Sequence, residues 1–369
     1  MSNNIGVVAS NAWYVYNFRK SMIRELASRF DSVHVLVGYD GFEGKLGDLA
    51  PNVKVINSSL ERKSLGIVSN LKLLMFYLKY YNCHKLDVVM NFTIKPNVFS
   101  GAVCKLLNIP YINNVTGLGT VFINKGMVKS LVVLMYKLVF PSARAIIFQN
   151  EDDFELIKNE GVRPHNFQLI EGSGVDITAL IPSGNNTSDR EFDFLFIGRI
   201  IKDKGIFEFI NASKDILNIF PNAKIGIVGN IDIGNQGHIS KSALVKMLDG
   251  SSIEYLGFSD DVATILDNTK ALVLPSYREG LSRVMIEAAS MKCVLLASDV
   301  PGCRQVISNK NGITFEARSS DALFKGMKKF LSLSTKEIDE MGERSRELAI
   351  KRFSTKVIND KLFKILFAE

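Results

Sequence analysis

The stretch that decides the fold reads Ala271-Leu-Val-Leu-Pro-Ser-Tyr-Arg-Glu-Gly-Leu-Ser-Arg-Val-Met-Ile-Glu287. Its first four residues are apolar and predict a buried strand. Gly280 interrupts this pattern, and Ser282 is a residue type that caps helices, so a helix is predicted from there to about Met291. A strand, a tight turn and a helix N-terminus therefore follow one another. The unpaired amides of such an N-terminus attract phosphate.

Two carboxylates flank this turn. Glu279 stands in the turn, and Glu287 lies about one and a half helical turns beyond Ser282 at ~3.6 residues per turn. The layout suits a nucleotide sugar, with its diphosphate at the amides of Gly280, Leu281 and Ser282, its sugar near Glu279 and its ribose near Glu287. On these residues alone, an ordinary strand–helix unit with two surface or capping glutamates is the alternative interpretation.

A second candidate phosphate loop lies upstream, in Phe196-Ile-Gly-Arg-Ile-Ile-Lys-Asp-Lys-Gly205. It joins a predicted strand to a predicted helix and is bounded by Gly198 and Gly205. Arg199 offers a planar fork of donors, and Lys204 offers a compact point charge. Two such cations can stabilise a departing nucleoside diphosphate without a metal. A solvated basic turn with no ligand is the alternative.

Composition limits the classes of protein that fit. The chain has 369 residues, too many for one typical core, and 47% of them are hydrophobic with a net charge of +7, which predicts two folded domains. The four cysteines show no Cys-x-x-Cys pair or zinc-ligand spacing, so reduced thiols in a cytosolic protein are expected. No signal peptide is evident, and the longest apolar stretch, 131–136, falls well short of the ~20 residues that span a bilayer.

The positive charge is concentrated in the first half of the chain. Residues 54–144 hold 12 basic residues and two acidic ones, Glu61 and Asp87. Apolar residues alternate with the basic ones at helical spacing in 71–81 and 127–140. This pattern favours an anionic membrane surface or a diphosphate lipid as partner. Nucleic acid is the competing explanation and is not favoured; helices that are simply core elements with solvated lysines are a further alternative.

Strands and helices alternate along the whole chain. Strands are predicted at 5–10, 33–38, 53–57, 87–92, 111–116, 145–150 and 167–171, and then at 192–197, 223–229, 253–257, 271–275, 293–298 and 312–315. Helices of the first half are predicted at 18–30, 67–82, 97–107, 127–140 and 151–160. Such alternation predicts a parallel sheet covered on both faces, and it occurs twice. The fold class is therefore α/β with two doubly wound domains.

The predicted boundary lies in a polar segment between Glu171 and Arg190, which contains the candidate hinge Gly172-Ser-Gly174. The first domain is predicted to span 1–172 and the second 173–352. An amphipathic helix at 353–367 ends the chain. No Gly-x-Gly-x-x-Gly follows the first strand, which argues against a dinucleotide dehydrogenase.

The two loops together resemble the donor site of the retaining glycosyltransferases of family 4, which have GT-B architecture. The residues that carry this resemblance are Gly198-Arg199 and Lys204-Gly205 in the first loop, and Ser276-Tyr-Arg-Glu-Gly-Leu-Ser282 with Glu287 in the second. Ser298-Asp-Val-Pro-Gly-Cys-Arg-Gln-Val-Ile307 is similar to the family's next strand–loop–helix.

The N-terminal stretches Ser10–Arg19 and Thr116–Phe122 are similar to bacterial transferases that extend an undecaprenyl-diphosphate-linked sugar. Within these, the chain resembles the N-acetylgalactosaminyltransferases that act on a lipid-linked amino sugar.

The resemblance implies two Rossmann-like domains facing a central cleft, with the last helix crossing back onto the first domain. It implies transfer, with retention, of a sugar from a UDP-sugar to an undecaprenyl-diphosphate-linked saccharide in surface glycan (for example O-antigen) synthesis. An N-acetylated hexosamine is the favoured sugar, and no metal or other cofactor is expected. The enzyme would be cytoplasmic and peripheral on the inner face of the bacterial plasma membrane.

The resemblance also implies a role for each donor-site residue. Arg199 and Lys204 hold the diphosphate next to Gly198, Glu279 orients the donor sugar, and Glu287 accepts hydrogen bonds from the ribose.

The acceptor side departs from the family pattern. Ala9-Ser-Asn-Ala-Trp13 stands where many members have a Gly-Gly turn, and no His follows the strand that ends at Thr116. Candidate acceptor residues are Arg19, which would neutralise a diphosphate, and Thr116, Gly117 and Gly119, where glycine allows close backbone approach. A core role for Arg19 and a plain glycine turn are the alternatives.

Three other functions stay open at this point. A GT-B sugar phosphorylase would release a sugar phosphate, and a nucleotide-sugar epimerase would form an epimer without a glycan acceptor. A non-catalytic nucleotide-sugar-binding protein would do neither.

Overall fold

The computed structural model describes residues 3–58, 60, 66–118, 122, 126–162, 166–232 and 237–368. The chain forms two compact units, one of Met1–Ser173 with Ile358–Glu369 and one of Gly174–Val357. Gly172 and Gly174 stand at the first boundary with φ of +80° and +72°. Glycine adopts this left-handed backbone at little cost, which suits a change of chain direction.

The first unit is built on a seven-stranded parallel sheet. Its strands are β1 Asn4–Asn11, β2 Ser32–Gly38, β3 Val53–Asn57, β4 Val88–Phe92, β5 Tyr111–Val115, β6 Ala145–Phe148 and β7 Phe167–Leu169. Their order in the sheet is β3-β2-β1-β4-β5-β6-β7. The strands β1, β2, β4, β5 and β6 are almost entirely buried because helices cover both faces of the sheet.

Six α-helices accompany this sheet in the described part of residues 3–162. They are α1 Ala12–Ala27, α2 Glu43–Gly47, α3 Ile67–His84, α4 Ile94–Leu107, α5 Met127–Val139 and α6 Glu151–Asn159. The buried side chains of α1 share one core with β1 and β2, and those of α3, α4 and α5 share a second core that includes Tyr111 and Phe148. The sheet is therefore doubly wound, as predicted.

The first helix begins six residues earlier than predicted. The expected start at residue 18 was wrong because the signal that starts the helix is not local. The carboxylate of Asp40 accepts hydrogen bonds from the Trp13 N–H at 3.1 Å and from the Asn11 side-chain amide at 2.6 Å. A carboxylate at a helix N-terminus satisfies unpaired amides and complements the helix dipole. Residues 13–19 are consequently helical.

The second unit is built on a six-stranded sheet. Its strands are β8 Phe192–Ile197, β9 Ile225–Val228, β10 Glu254–Gly257, β11 Thr269–Leu274, β12 Val294–Ser298 and β13 Gly312–Phe315. Their order is β10-β9-β8-β11-β12-β13, and all pairings are parallel. Its helices are α7 Ile206–Ile219, α8 Lys241–Leu248, α9 Val262–Asp267, α10 Arg283–Ser290, α11 Ser320–Leu331 and α12 Thr335–Leu348.

The last helix, α13 Thr355–Leu366, contributes to the core of the first unit. Its apolar face consists of Ile358, Leu362, Phe363 and Leu366, all buried. The guanidinium of Arg29, just past the end of α1, lies 4.8 Å above the Phe363 ring. The apolar spacing that predicted an amphipathic helix at 353–367 is thus the spacing that packs it.

Within the described ranges, no helix combines the length and the apolar character that crossing a membrane requires.

Candidate active site

The two predicted phosphate loops follow neighbouring strands. β8 and β11 pair directly, and each loop leaves the carboxyl end of its strand. The helix after β8, α7, packs on one face of the sheet, and the helix after β11, α10, packs on the other. Chains that leave neighbouring strands in opposite directions open a crevice at that edge of the sheet, where open α/β sheets bind ligands. Both loops therefore lie at the ligand-binding position of this fold.

Glycine allows these loops to approach each other. Gly205 has φ of +72°, and a Cβ there would lie 2.0 Å from the carbonyl oxygen of Pro275. Gly302 has φ of +81°, and its Cβ would lie 2.6 Å from the carbonyl oxygen of Glu279. The Tyr277 N–H also donates to the Asp203 carbonyl at 2.9 Å. The backbones of the loops after β8, β11 and β12 are thus in direct contact and form one layer.

Lys204 and Glu279 meet in this layer. The Lys204 Nζ lies 2.5 Å from the Glu279 Oε1, and the two side chains are only 21% and 13% exposed. The Glu279 N–H donates to the Pro301 carbonyl at 3.3 Å, which fixes the backbone that carries the carboxylate. The structure therefore brings together a cation and a carboxylate that both belong to the predicted site. A half-buried pair like this holds both groups in place for a charged ligand.

Arg199 lies at the end of β8 with a partner that the sequence did not indicate. Its Nη1 is 3.0 Å from the Asp232 Oδ2, and the Arg199 side chain is 46% exposed. The chain just past β9 approaches the chain just past β8 closely at Gly229, where a Cβ would lie 1.8 Å from the Gly198 carbonyl oxygen. An anion that binds Arg199 would compete with the Asp232 carboxylate.

Glu287 and the helix N-terminus occupy the other side of the site. The Glu287 Oε1 accepts a hydrogen bond from the Arg283 Nε at 2.7 Å, one helical turn away. Ser282 stands at the N-cap of α10, as predicted, although its side chain makes no capping hydrogen bond. Its N–H donates to the Gly302 carbonyl at 3.3 Å. A diphosphate would have to replace this long bond to use the Ser282 amide.

Tyr277 ties the Glu279 loop to α7. Its hydroxyl donates to the Glu208 Oε1 at 2.7 Å, and the Arg318 guanidinium lies 4.7 Å above its ring. Burial raises the pKa of Tyr277 well above its usual value, and the hydrogen bond to Glu208 raises it further. The phenol therefore stays a donor across the physiological pH range. Sequence reasoning missed this pairing because the two residues are 69 positions apart.

The candidate acceptor residues lie in the first unit. Arg19 is 3% exposed, its guanidinium lies 4.7 Å above the Phe92 ring, and its Nε and Nη2 have no hydrogen-bond partner among the described residues. Thr116 and Gly117 follow β5, and Gly117 has φ of +123°. Gly119 lies outside the described residues. The structure thus shows a buried guanidinium with unused donors close to the carboxyl end of β4.

In the part of the chain that the structure describes, no three His, Cys, Asp or Glu side chains are grouped so that they could hold a metal ion.

Two family models match the chain in succession. The family model described as "Glycosyl transferase 4-like" matches residues 5–150, and the model described as "Glycosyl transferases group 1" matches residues 179–348. The chain belongs to the glycosyltransferases. The group 1 match contains both loops of the candidate active site of this glycosyltransferase.

Named relatives include two enzymes of lipid-linked saccharides. The chain is 29% identical, over 83% of either sequence, to an N,N'-diacetylbacillosaminyl-diphospho-undecaprenol alpha-1,3-N-acetylgalactosaminyltransferase of Campylobacter jejuni. It is 24% identical to a UDP-Gal:alpha-D-GlcNAc-diphosphoundecaprenol alpha-1,3-galactosyltransferase of Escherichia coli, over 72% of this chain and 71% of the other.

Solved glycosyltransferase structures share the fold over the full length. Anabaena Alr3699/HepE in complex with UDP and glucose is 16% identical, with a TM-score of 0.82 and complete coverage of both chains. The sucrose-phosphate synthase of Thermosynechococcus elongatus is also 16% identical, with a TM-score of 0.80 and 99% coverage of both. At this identity the likeness establishes the fold. The prediction of two Rossmann-like domains of the GT-B class is confirmed.

Proposed function

We propose that this glycosyltransferase moves a sugar from a UDP-sugar to a saccharide carried on undecaprenyl diphosphate, during synthesis of a bacterial surface glycan. The proposal for the acceptor is supported by the named acceptors of the Campylobacter jejuni and Escherichia coli relatives. UDP as the carrier is supported by the complexes of HepE. An N-acetylated hexosamine is the proposed sugar, and the inner face of the plasma membrane is the proposed place of action.

The observation that carries the proposal is the meeting of Lys204 and Glu279 at the crevice between the ends of β8 and β11. In the proposed donor complex, Lys204 and Arg199 bind the diphosphate. A pair of opposite charges ~4 Å apart is worth about 4 kcal/mol at an effective dielectric near 20, before desolvation. The value for the more exposed Arg199 is lower because water screens it. Without donor, Glu279 and Asp232 neutralise these cations.

The remaining donor contacts follow from the same geometry. Once Lys204 binds phosphate, the Glu279 carboxylate is available to the hydroxyl groups of the donor sugar. Glu287, oriented by Arg283, accepts hydrogen bonds from the ribose. Gly198 and the amides of Gly280 and Leu281 complete the proposed phosphate contacts.

The proposed reaction retains the anomeric configuration and needs no metal. The bond between the sugar C1 and the β-phosphate oxygen breaks, and a bond between C1 and the acceptor oxygen forms on the same face. The acceptor hydroxyl gives its proton to the departing phosphate, so no protein base is required. Catalysis then consists of positioning and of electrostatic stabilisation of the leaving group.

The acceptor is proposed to bind the first unit. Arg19 would neutralise an acceptor phosphate by its positive charge, and direct hydrogen bonds from its buried Nε and Nη2 would require the side chains that cover them to move. Thr116, Gly117 and Gly119 follow β5 and would contact the acceptor saccharide.

A product assay tests the proposal. We expect that incubation with UDP-N-acetylhexosamine and an undecaprenyl-diphosphate-linked saccharide yields UDP and a glycolipid that is one sugar longer, detected by mass spectrometry. A panel of UDP-sugars in a thermal-shift assay selects the donor, since a ligand at 100 times its Kd stabilises by about 2.7 kcal/mol. Release of a sugar phosphate, formation of an epimer, or donor binding without any product would each contradict the proposal.

A further inference from the structure

Three helices of the first unit expose large apolar side chains to solvent. Ten such residues lie on α3, α4 and α5, and their exposure ranges from 41% to 91%. They are Ile67, Val68, Leu71 and Met75 on α3, Leu106 on α4, and Met127, Val128, Leu131, Leu134 and Leu138 on α5. We call this set the apolar helix surface. Large exposed apolar surfaces on a folded protein mark an interaction site.

The apolar helix surface belongs to neighbouring helices. α4 packs against both α3 and α5. The Lys105 Nζ on α4 donates to the Leu138 carbonyl on α5 at 2.8 Å. The opposite sides of α3 and α5 are already buried in the core, through Tyr77 and Tyr136 for example. The exposed residues are therefore a second apolar face on helices whose first face is already packed.

The charge on these helices has one sign. None of α3, α4 and α5 contains Asp or Glu, and together they contain six lysines, at positions 72, 79, 95, 105, 129 and 137. Lys129 pairs with Glu160, just past the end of α6, whereas Lys72, Lys79 and Lys137 are exposed. Solvent-facing helices of globular proteins usually carry both signs of charge. Aliphatic side chains beside lysines without carboxylates are typical of helices that lie in the interface of an anionic bilayer.

The composition fits a membrane better than a protein partner. Protein interfaces are enriched in Arg, Met and aromatic residues and depleted in Lys. The three helices contain no Arg or Trp, and eight of the ten exposed apolar residues are aliphatic, Met75 and Met127 being the other two. We propose that the apolar helix surface binds an anionic phospholipid bilayer, with its aliphatic side chains at the acyl-chain boundary and its lysines on headgroup phosphates. This deepens the proposed function, on which it rests for the location of the acceptor lipid.

Vesicle sedimentation with the full chain tests this surface. We expect binding to phosphatidylcholine vesicles that contain phosphatidylglycerol, and much weaker binding to phosphatidylcholine alone. Leu71→Glu/Leu131→Glu/Leu134→Glu is expected to weaken binding to anionic vesicles at least tenfold. The matched control is Ile219→Glu/Val245→Glu/Phe258→Glu in the second unit, where the three residues are similarly exposed, and it should bind like the wild type. Thermal midpoints confirm that each variant is folded.

A charge variant separates the electrostatic part. Near an anionic surface each lysine contributes roughly a fivefold gain in affinity. Lys72→Gln/Lys137→Gln is therefore expected to weaken binding to anionic vesicles by about 25-fold and to leave binding to phosphatidylcholine unchanged. Equal binding of this variant and the wild type to anionic vesicles would overturn the assignment of the lysines.

Three outcomes overturn the proposal itself. One is a wild-type chain that sediments with neither kind of vesicle, another is an equal loss of vesicle binding in the surface and control variants, and the third is self-association of the chain in solution that the surface variant abolishes.

Sugar transfer is measured in parallel with a short-chain, water-soluble acceptor diphosphate. The surface variant should keep this activity and lose activity on full-length lipid in vesicles. Vesicle binding without any sugar transfer would contradict the proposed function and leave the membrane surface standing.

Discussion

Lys204→Ala is expected to lower kcat for sugar transfer by about 10²–10³-fold. A loss of this size is typical when an enzyme loses one preorganised group that stabilises the charge developing in the transition state. The Lys204 ammonium lies 2.5 Å from Glu279 in a half-buried layer, so its position is fixed before the donor binds. Without it, the leaving diphosphate loses a cation and meets the unneutralised carboxylate of Glu279. Arg199→Ala should also lower kcat strongly. Steady-state rates at saturating donor measure both effects.

Lys270→Ala is the matched control for this prediction. Lys270 pairs with Asp193 at 2.9 Å in the same unit, and the two side chains are 22% and 16% exposed, close to the values for Lys204 and Glu279. Both variants remove the cation of a largely buried ion pair and should lose similar amounts of stability, since each leaves a carboxylate without its partner. Only Lys204→Ala should lose turnover. Equal kcat values for the two variants would reject the assignment of Lys204 to the diphosphate.

Gly205→Ala is expected to destabilise the second unit and abolish sugar transfer. The added Cβ would lie 2.0 Å from the Pro275 carbonyl oxygen, a distance that forces the two loops of the site apart. The left-handed backbone at φ of +72° adds about 1–2 kcal/mol of strain for a residue with a Cβ. Urea unfolding measures the loss of stability, and the product assay measures the loss of transfer.

Gly250→Ala separates the effect of backbone strain from the effect of a steric clash between loops. Gly250 has φ of +70°, and a Cβ there meets nothing within 4 Å. It should therefore show the strain alone and keep activity. If Gly205→Ala and Gly250→Ala lose the same stability and both remain active, the close approach of the loops is not required for function.

Strands and most helices were predictable because their signals are local. The strands at 192–197 and 312–315 have the predicted bounds, since each is a short apolar run next to turn residues. The start of α1 was not predictable, since it depends on Asp40, 27 positions beyond Trp13. A tertiary cap of this kind leaves no pattern in the helix itself.

The site shows the same division. Glu279 and Lys204 were singled out by residue type and position in a loop, but their pairing depends on the order of β8 and β11 in the sheet. Asp232 and Glu208 were missed because each is an ordinary acidic residue in its local sequence. They become part of the site only through Arg199 and Tyr277, which lie 33 and 69 positions away.

The most direct measurement is a crystal structure of the chain with UDP bound. We expect the diphosphate oxygens to lie within hydrogen-bonding distance of the Arg199 guanidinium and the Lys204 ammonium, with the ribose hydroxyls on Glu287. A diphosphate bound elsewhere, with Lys204 still on Glu279 and Arg199 still on Asp232, would contradict it.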